Sequence, residues 1–419
     1  MIKSIAVICV HTSPLEPLGG KKTGGMNVYV REMAREMGRR GVQVDVFTRR
    51  SSPDQPLIDH ALGENVRVIY VNSGPPLPLD PSAVYPHLQE FAAGVLCFAT
   101  KHSTRYDMVY AHYWLSGWVA NKLKEVWGTP FAQMFHTLGQ MKNRIVPDSP
   151  AFPMPDERVT METRLMHWAD CLIAATRAEY AQMLWLYRAD RRKIAVVPPG
   201  VDESLFRPHS RRDALETLGF APDERVMLFV GRIERLKAID SILEAVQHIQ
   251  RTEPELLTRT RFLIVGGSKD DPELARLIEM AAALGIAGLI DFVGAKDQHL
   301  LPTYYAAASA VIMPSDYESF GMVALEAMAS GTPVIASHVG GLAYLVRDGE
   351  TGYLVPAREP LKLAERIADV LRDPEARARM GERAAETART YAWSLIVDEL
   401  LRVFEEMLGG GRRVPAQVT

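Results

Sequence analysis

Cysteine is scarce. Cys9, Cys97 and Cys171 are the only three in 419 residues, odd in number and scattered. That excludes a disulfide framework and a cysteine-built zinc site. The apolar stretches around them read as reduced core thiols of a cytoplasmic protein. Long apolar runs are missing too, so no transmembrane segment is expected. The opening ten residues are apolar enough to suggest a signal peptide, but they are short and carry no small-residue cleavage pattern. A buried first strand is the expectation there. Charge of one sign is barely in excess: 48 Lys and Arg against 51 Asp and Glu leave −3, which gives no electrostatic case for a nucleic-acid partner. Three motifs are absent as well. No G-x-G-x-x-G fingerprint argues for a simple NAD enzyme, no Gly-Lys-Ser/Thr closes a Walker loop, and no Asp-x-Asp pair precedes a strand. Asp270-Asp271 reads as a turn or helix cap, so no metal site is assigned.

What is present is a globular composition, 47% hydrophobic and 24% charged. The length suits two domains of about 200 residues each. Both halves run strand, loop, helix, strand, the order of a doubly wound parallel sheet. In the first half, a strand over 5–10 leads into a loop bearing Gly19-Gly20 and Gly24-Gly25. A helix from about 26 to 38 follows, with Val28, Met33, Ala34 and Met37 at helical spacing. Further strands are expected at 41–48, 65–71, 107–111, 130–135, 171–175 and 194–197. An irregular Pro-rich loop is expected over 73–86, a second Pro-rich stretch over 147–155 and a helix over 156–168. Pro198-Pro199-Gly200-Val201-Asp202 is the linker candidate.

Strands at 226–230, 261–265, 290–293, 310–313, 333–336 and 353–355 make the second half. A final helix near 394–408 has no sheet to follow it and is expected to pack back on the first domain. The domains are therefore 1–202 with a C-terminal helix from about 390 to 408, and 203–389, with a frayed tail over 409–419.

The stretch 313–331 carries the most chemistry. After a buried strand, Gly321 opens a helix, with Glu318 in the loop before it and Glu326 in its second turn. The amides of Phe320, Gly321, Met322 and Val323 lie at the positive end of the helix dipole, a natural anion seat. Phosphate there, with carboxylates on either side to accept sugar hydroxyls, outlines a nucleotide-sugar site. The competing reading is an ordinary strand–loop–helix unit with two glutamates at chance spacing.

Elsewhere, His112 and His136 each end a strand, at the rim where open α/β sheets bind ligands. Gly24-Gly25 is either a tight turn into the helix or a place where a ligand approaches the backbone. Arg31, Arg35, Arg39 and Arg40 alternate with Glu32 and Glu36, which favours intrahelical pairing over peripheral contact with anionic lipid.

Five segments in order carry a resemblance: Gly24-Gly25-Met-Asn-Val-Tyr-Val, His112-Tyr-Trp-Leu-Ser-Gly, Phe135-His-Thr-Leu, Gly231-Arg232 with Lys237, and Glu318 with Glu326. Together they resemble the family-4 retaining glycosyltransferases, over nearly the whole chain. The first half is similar to the branch holding sucrose-phosphate synthases and the inositol-phosphate glycosyltransferases of mycothiol synthesis. The resemblance implies a GT-B fold, two Rossmann-like domains facing a cleft. It also implies transfer of a hexosyl group from a nucleotide sugar, by default UDP-glucose or UDP-N-acetylglucosamine, to a small polyol, sugar or sugar phosphate. The donor is a cosubstrate, with no bound cofactor and protein cations in place of a metal; oligomeric state is open.

By resemblance, Glu326 binds the ribose, Glu318 a donor hydroxyl, and Arg232 and Lys237 the diphosphate. His136 touches the donor sugar near its reacting carbon. Gly24, Gly25, Asn27, Gly266 and Val293 complete the donor side. His112, Tyr113, Thr137, Lys142 and Arg158 form the acceptor side. Two departures stand out. Asp80-Pro81-Ser82 replaces a loop that often carries a lysine for the acceptor phosphate, so the acceptor is either less anionic or gripped differently. Ala238 replaces the usual glycine after Lys237. A non-catalytic nucleotide-sugar sensor, and an epimerase or phosphorylase on the same scaffold, remain the alternatives.

Overall fold

The computed structural model describes residues 1–16, 24–145, 156–268 and 270–410, with the backbone alone for Lys142, Ile145 and Asp156. The Gly19-Gly20 part of the first loop, the Pro-rich stretch 147–155 and the tail from 411 lie outside the described residues. Two compact units emerge: Met1–Glu16, Gly25–Pro199 and the chain from Trp393 form one, while Gly24 and Gly200–Ala392 form the other.

In the first unit the strands are β1 (Ser4–Ile8), β2 (Gln43–Arg49), β3 (Ile58–Asp59), β4 (Val66–Val71), β5 (Met108–His112), β6 (Phe131–Met134), β7 (Cys171–Ala174) and β8 (Ile194–Val196). They lie in the order β3-β4-β2-β1-β5-β6-β7-β8, parallel except for the short edge strand β3. The order turns back at β1, which pairs with both β2 and β5. Loops leaving β1 and β5 therefore share one rim, the usual ligand edge of a doubly wound sheet. The connecting helices are α1 (Gly25–Arg39), α2 (Pro81–Val84), α3 (Leu88–Lys101), α4 (Tyr113–Trp127), α5 (Gly139–Ile145), α6 (Asp156–Trp168) and α7 (Arg177–Tyr187). β1 and β5 are buried almost throughout, as strands covered by helices on both faces must be.

The second unit starts with α8 (Arg211–Thr217) and β9 (Arg225–Val230), followed by α9 (Ile239–Thr252), β10 (Thr260–Val265), α10 (Pro272–Ala283), β11 (Ile290–Gly294), α11 (Leu301–Ala307) and β12 (Ala308–Met313). It continues through α12 (Met322–Ala329), β13 (Val334–Ser337), α13 (Leu342–Leu345), β14 (Gly352–Val355), α14 (Pro360–Arg372) and α15 (Pro374–Arg389). Its parallel sheet runs β11-β10-β9-β12-β13-β14, with the reversal between β9 and β12. The last helix, α16 (Trp393–Leu408), belongs to the first unit. Phe404 meets the Tyr110 ring at 5.0 Å, Trp393 meets Tyr29 at 5.3 Å, and Arg40 Nε donates to Asp398 at 2.7 Å.

Two expectations need correction. The segment 73–86 is not wholly irregular: α2 and a 3-10 turn at Tyr85–His87 occupy its end. Pro81 sits at the first helical position, where its missing N–H costs nothing. Cys9 and Cys171 are buried, but Cys97 is exposed on α3, because helical spacing turns it away from the face made by Phe91, Ala92, Val95 and Ala99. The arginines of α1 are held in pairs, Arg31, Arg35, Arg39 and Arg40 each with Glu32 or Glu36. Among the described residues, no helix is long and apolar enough to cross a membrane.

A thiol reagent should label Cys97 in the native protein within minutes and reach Cys9 and Cys171 only after denaturation. Burial pushes the Cys9 thiol up to about 12, which removes its thiolate at neutral pH. Rapid native labelling of a second cysteine would contradict this packing.

Candidate functional site

In the second unit, the loops leaving β9 and β12 meet at the topological reversal. The Asp316 amide donates to Leu236 O at 2.9 Å, tying one loop to the other. Lys237 closes a 3-10 turn, Arg235–Lys237, and Ala238 follows at φ 48°. A side chain in that left-handed region costs about 1–2 kcal/mol, so the turn keeps its shape without the usual glycine but under strain. Lys237 Nζ forms an ion pair with the Glu318 carboxylate, and both side chains are largely buried. Arg232 Nη1 pairs instead with Glu234 Oε1 at 2.6 Å, partly exposed.

Gly321 caps α12 at φ 107°, and no side chain caps that helix start. Among the described residues, the first amides of the helix have no side-chain cap, which leaves the dipole end able to receive an anion. Phe320 is buried, while Met322 and Val323 are half-buried. The loop holding Glu318 is seated on Gly340-Gly341: the Gly341 amide donates to Glu318 O at 3.0 Å. A Cβ on Gly340 would overlap the Glu318 carbonyl, and one on Gly341 would overlap the Phe320 backbone.

Glu326 is 5% exposed. Tyr305 Oη donates to its Oε2 at 2.8 Å and Gln298 Nε2 to its Oε1 at 3.0 Å. Burial and then Glu326 raise the Tyr305 pKa well above normal, so the phenol stays a donor. Gly266 and Val293 stand at the ends of β10 and β11. The Gly266 amide donates to Gly294 O at 3.0 Å, and a Cβ on Gly266 would overlap the Gly231 carbonyl. Gly266 thus has a packing reason to be glycine.

In the first unit, the loops after β1, β5 and β6 meet. His11 and Tyr113 have ring centroids 4.5 Å apart. Tyr113 (φ 75°) and His136 (φ 61°) both sit in the left-handed region, immediately after β5 and two residues after β6. Such strain in non-glycine residues clusters at functional sites. Arg158, 2% exposed, draws the acceptor-side set together. Its Nη1 donates to Tyr113 Oη at 2.9 Å, and its Nη2 donates to Thr137 O at 2.8 Å and Thr137 Oγ1 at 3.1 Å. Its Nε donates to Glu162 Oε1 at 2.7 Å. Burial opposes the guanidinium charge, but Glu162 more than offsets it and the pKa lies above its usual value.

His112 is not part of the acceptor-side cluster. It is fully buried behind His136, with Nδ1 3.0 Å from His136 Nε2. Burial and the neighbouring imidazole push His112 well below its ordinary pKa; burial and His11 push His136 down to about 3. The pair is therefore neutral at physiological pH. Asn27 braces the loop after β1, donating to Thr12 Oγ1 and Ser13 O at 2.7 Å each. Gly25 opens α1, and Gly24 groups with the second unit. Lys142 lies on α5, its side chain outside the described residues. Asp271, set aside as a metal ligand, caps α10 through the Glu273 amide.

Sequence reading missed the supporting residues. Glu162 was within reach, since Arg158 and Glu162 stand four apart on α6, an i,i+4 pair. The Gly340-Gly341 doublet resembles Gly24-Gly25 as a signal. Tyr187, which donates to Glu162, and Tyr305 and Gln298, which hold Glu326, have no local signature.

Family models described as "Glycosyl transferases group 1" and "Glycosyl transferase 4-like domain" match residues 210–387 and 24–200 respectively. The D-inositol 3-phosphate glycosyltransferase of Actinosynnema mirum is 41% identical over 408 residues, 96% of this chain and 97% of that protein. Among solved structures, sucrose-phosphate synthase from Thermosynechococcus elongatus has a TM-score of 0.89 at 31% identity, covering 98% of this chain and 100% of that one. Anabaena HepE in complex with UDP-glucose has a TM-score of 0.75 at 18% identity, covering 96% and 99%, a likeness of fold.

Gly341→Ala should displace the Glu318 loop and cut turnover by about tenfold or more, with circular dichroism unchanged. Wild-type turnover in that variant would show that the seat does not matter. Protonation gives a second check. Folded His136 keeps its proton off down to about pH 3, whereas in the unfolded chain it gains one near 6.5. The unfolded state binds more protons in between, so this contribution to stability is present at pH 7 and is lost as pH falls through that window. Urea midpoints of His136→Gln should accordingly fall less than wild type between about pH 7 and pH 4.

Proposed function

This chain belongs to the group 1 glycosyltransferases, and from that premise we propose that it moves a hexosyl group from a nucleotide sugar to a small polyol, sugar or sugar phosphate, with retention at the anomeric carbon. The two α/β units are those of the GT-B architecture, and the chain is a glycosyltransferase. The UDP-glucose or UDP-N-acetylglucosamine donor and the acceptor class are the proposal.

The observation that carries it is the Lys237–Glu318 pair beside the uncapped start of α12. A donor diphosphate would take the open amides and draw Lys237 from Glu318, freeing that carboxylate to accept a sugar hydroxyl. Arg232, partly exposed, would add a planar fork. Charge grows on the diphosphate as the bond from the anomeric carbon to its phosphate oxygen breaks. Fixed amides and cations stabilise that charge without reorganising. The acceptor oxygen bonds to the same carbon, and the leaving phosphate takes its proton. Glu326, held by Tyr305 and Gln298, would accept from the ribose. His136, neutral and backed by His112, would contact the donor sugar.

The acceptor side follows from hydrogen-bond direction. Arg158 donates to Tyr113 Oη and Thr137 Oγ1, so each hydroxyl keeps its own hydrogen to give. Two outward O–H donors backed by a guanidinium suit a phosphate or hydroxyl oxygen. The inositol-phosphate relatives support an acceptor of that class. Asp80-Pro81-Ser82 supplies no cation from its loop, which favours an acceptor held mainly by these hydroxyls.

With UDP-glucose, UDP-N-acetylglucosamine and a panel of acceptors, release of UDP should require an acceptor. Glu326→Ala should chiefly raise the donor KM, and Glu318→Gln should lower kcat by about a hundredfold. Unchanged kinetics in both folded variants would remove this reading. Tyr113→Phe probes the acceptor better than Arg158→Ala, which would strand the buried Glu162 charge at a cost of about 3–5 kcal/mol. It should weaken phosphorylated acceptors more than neutral ones.

A further inference from the structure

Three arginines meet at the other end of the second unit's sheet. Arg225 begins β9, and the residue after it, Val226, pairs with Ala308 at the start of β12. Ser309, fully buried, sits at the register shift between Ala308 and Ala310. Arg377 reaches across from α15, its Nη1 donating to Ser309 Oγ at 3.3 Å. Arg211 opens α8, and its Nη2 donates to Glu224 O at 2.8 Å, the carbonyl just before Arg225. Arg225 itself donates to Leu256 O at 2.9 Å, Thr258 O at 2.7 Å and Leu371 O at 3.4 Å. Four elements thus deliver or hold three guanidinium groups at one sheet edge.

Every acceptor in that set is a neutral oxygen. Among the described residues, no carboxylate forms an ion pair with any of the three. The Arg211 Nε is buried and has no hydrogen-bond partner. The groups also repel one another: burial and then Arg377 push Arg211 down to about 10, and burial and then Arg225 lower Arg377. Half-buried cations are ordinarily paired, because desolvated charge without a counter-ion is costly. The carbonyls of Leu256, Thr258 and Leu371 partly offset Arg225, since they lie at the ends of helical segments. Among the described residues, Arg211 and Arg377 have only the Glu224 carbonyl and the Ser309 hydroxyl.

We propose that Arg211, Arg225 and Arg377 form an oxyanion site for inorganic phosphate or a small phosphomonoester, separate from the substrate groups. β9 puts about 17 Å of strand between Arg225 and the loop of Arg232 and Lys237 at its other end. Guanidinium forks match the tetrahedral oxygens of phosphate, and Arg211 Nε is a donor without an acceptor until an anion arrives. Occupancy would bind α8, β9 and α15 together. α15 packs on α12, which carries Glu326. The site stands independently of the proposed reaction.

The test is thermal unfolding of the full chain at constant ionic strength, with sodium phosphate replacing sodium chloride and UDP present in excess to fill the nucleotide site. Wild type should show a Tm that rises with the logarithm of phosphate concentration above the dissociation constant, by about 2–4 °C for each tenfold. Arg211→Gln and Arg377→Gln should each need about tenfold more phosphate for the same rise. Without phosphate, both variants should melt at or above the wild-type temperature, because a repulsion has been removed. Repeating the titration with glucose 6-phosphate separates the sources: tighter binding than phosphate marks a phosphorylated metabolite, weaker binding marks the free ion. A rise linear in phosphate concentration with no logarithmic range, or one unchanged in both variants, overturns the site. Arg377→Lys, which keeps charge but loses the fork, gives a folded control if either glutamine variant is unstable; a wild-type response in it would also count against the site.

Discussion

The ion pair between Lys237 and Glu318 sets the terms for the second unit. Its partners come from loops leaving strands on either side of the sheet's reversal, so it forms only once β9 and β12 are side by side. Holding two largely buried charges together is no great source of stability, because desolvation consumes most of the attraction. In the proposed function it keeps a cation and an anion in store beside the start of α12. A ligand that carries both phosphate and hydroxyl groups satisfies each of them separately. The strained Ala238 and the Gly340-Gly341 seat make sense as fixtures of that arrangement.

The first unit handles charge differently. Arg158 is neutralised by Glu162, and Tyr187 and the Gly139 amide satisfy the same carboxylate. The guanidinium also donates to Tyr113 and Thr137, so a buried charge orients two hydroxyls at the rim. The histidine pair is kept neutral by burial, which suits contact with an uncharged sugar better than with an anion. In the first unit, Tyr113 and His136 take left-handed conformations just past the carboxyl ends of β5 and β6, and in the second Ala238 does so at the start of α9.

Much of this was legible in advance for local reasons. Apolar runs and helical spacing located most of the strands and α1, and the same intrahelical-pairing logic applied to the arginines of α1 would have exposed Arg158 with Glu162. Glycine at Gly321 announced a helix start needing a left-handed residue. The errors have local causes too. Cys97 lies in an apolar run, but composition alone does not say which face of a helix a residue occupies. Pro81 was read as a loop breaker although proline also starts helices. His112 was placed with the acceptor groups by resemblance, and its side chain is fully buried against His136.

By itself the sequence determined the two doubly wound halves and the residue types at each strand end, since periodicity and turn chemistry act over a few residues. Only the tertiary structure decided the partnerships. Lys237 finds Glu318 across 81 positions, Tyr113 meets Arg158 across 45, and Glu326 meets Gln298 across 28. The three arginines at the amino edge of the second sheet gave no sign in the sequence at all. Hydrogen bonds and ion pairs of this kind depend on which strands become neighbours, and that order is set by packing the whole sheet rather than by any single stretch of chain.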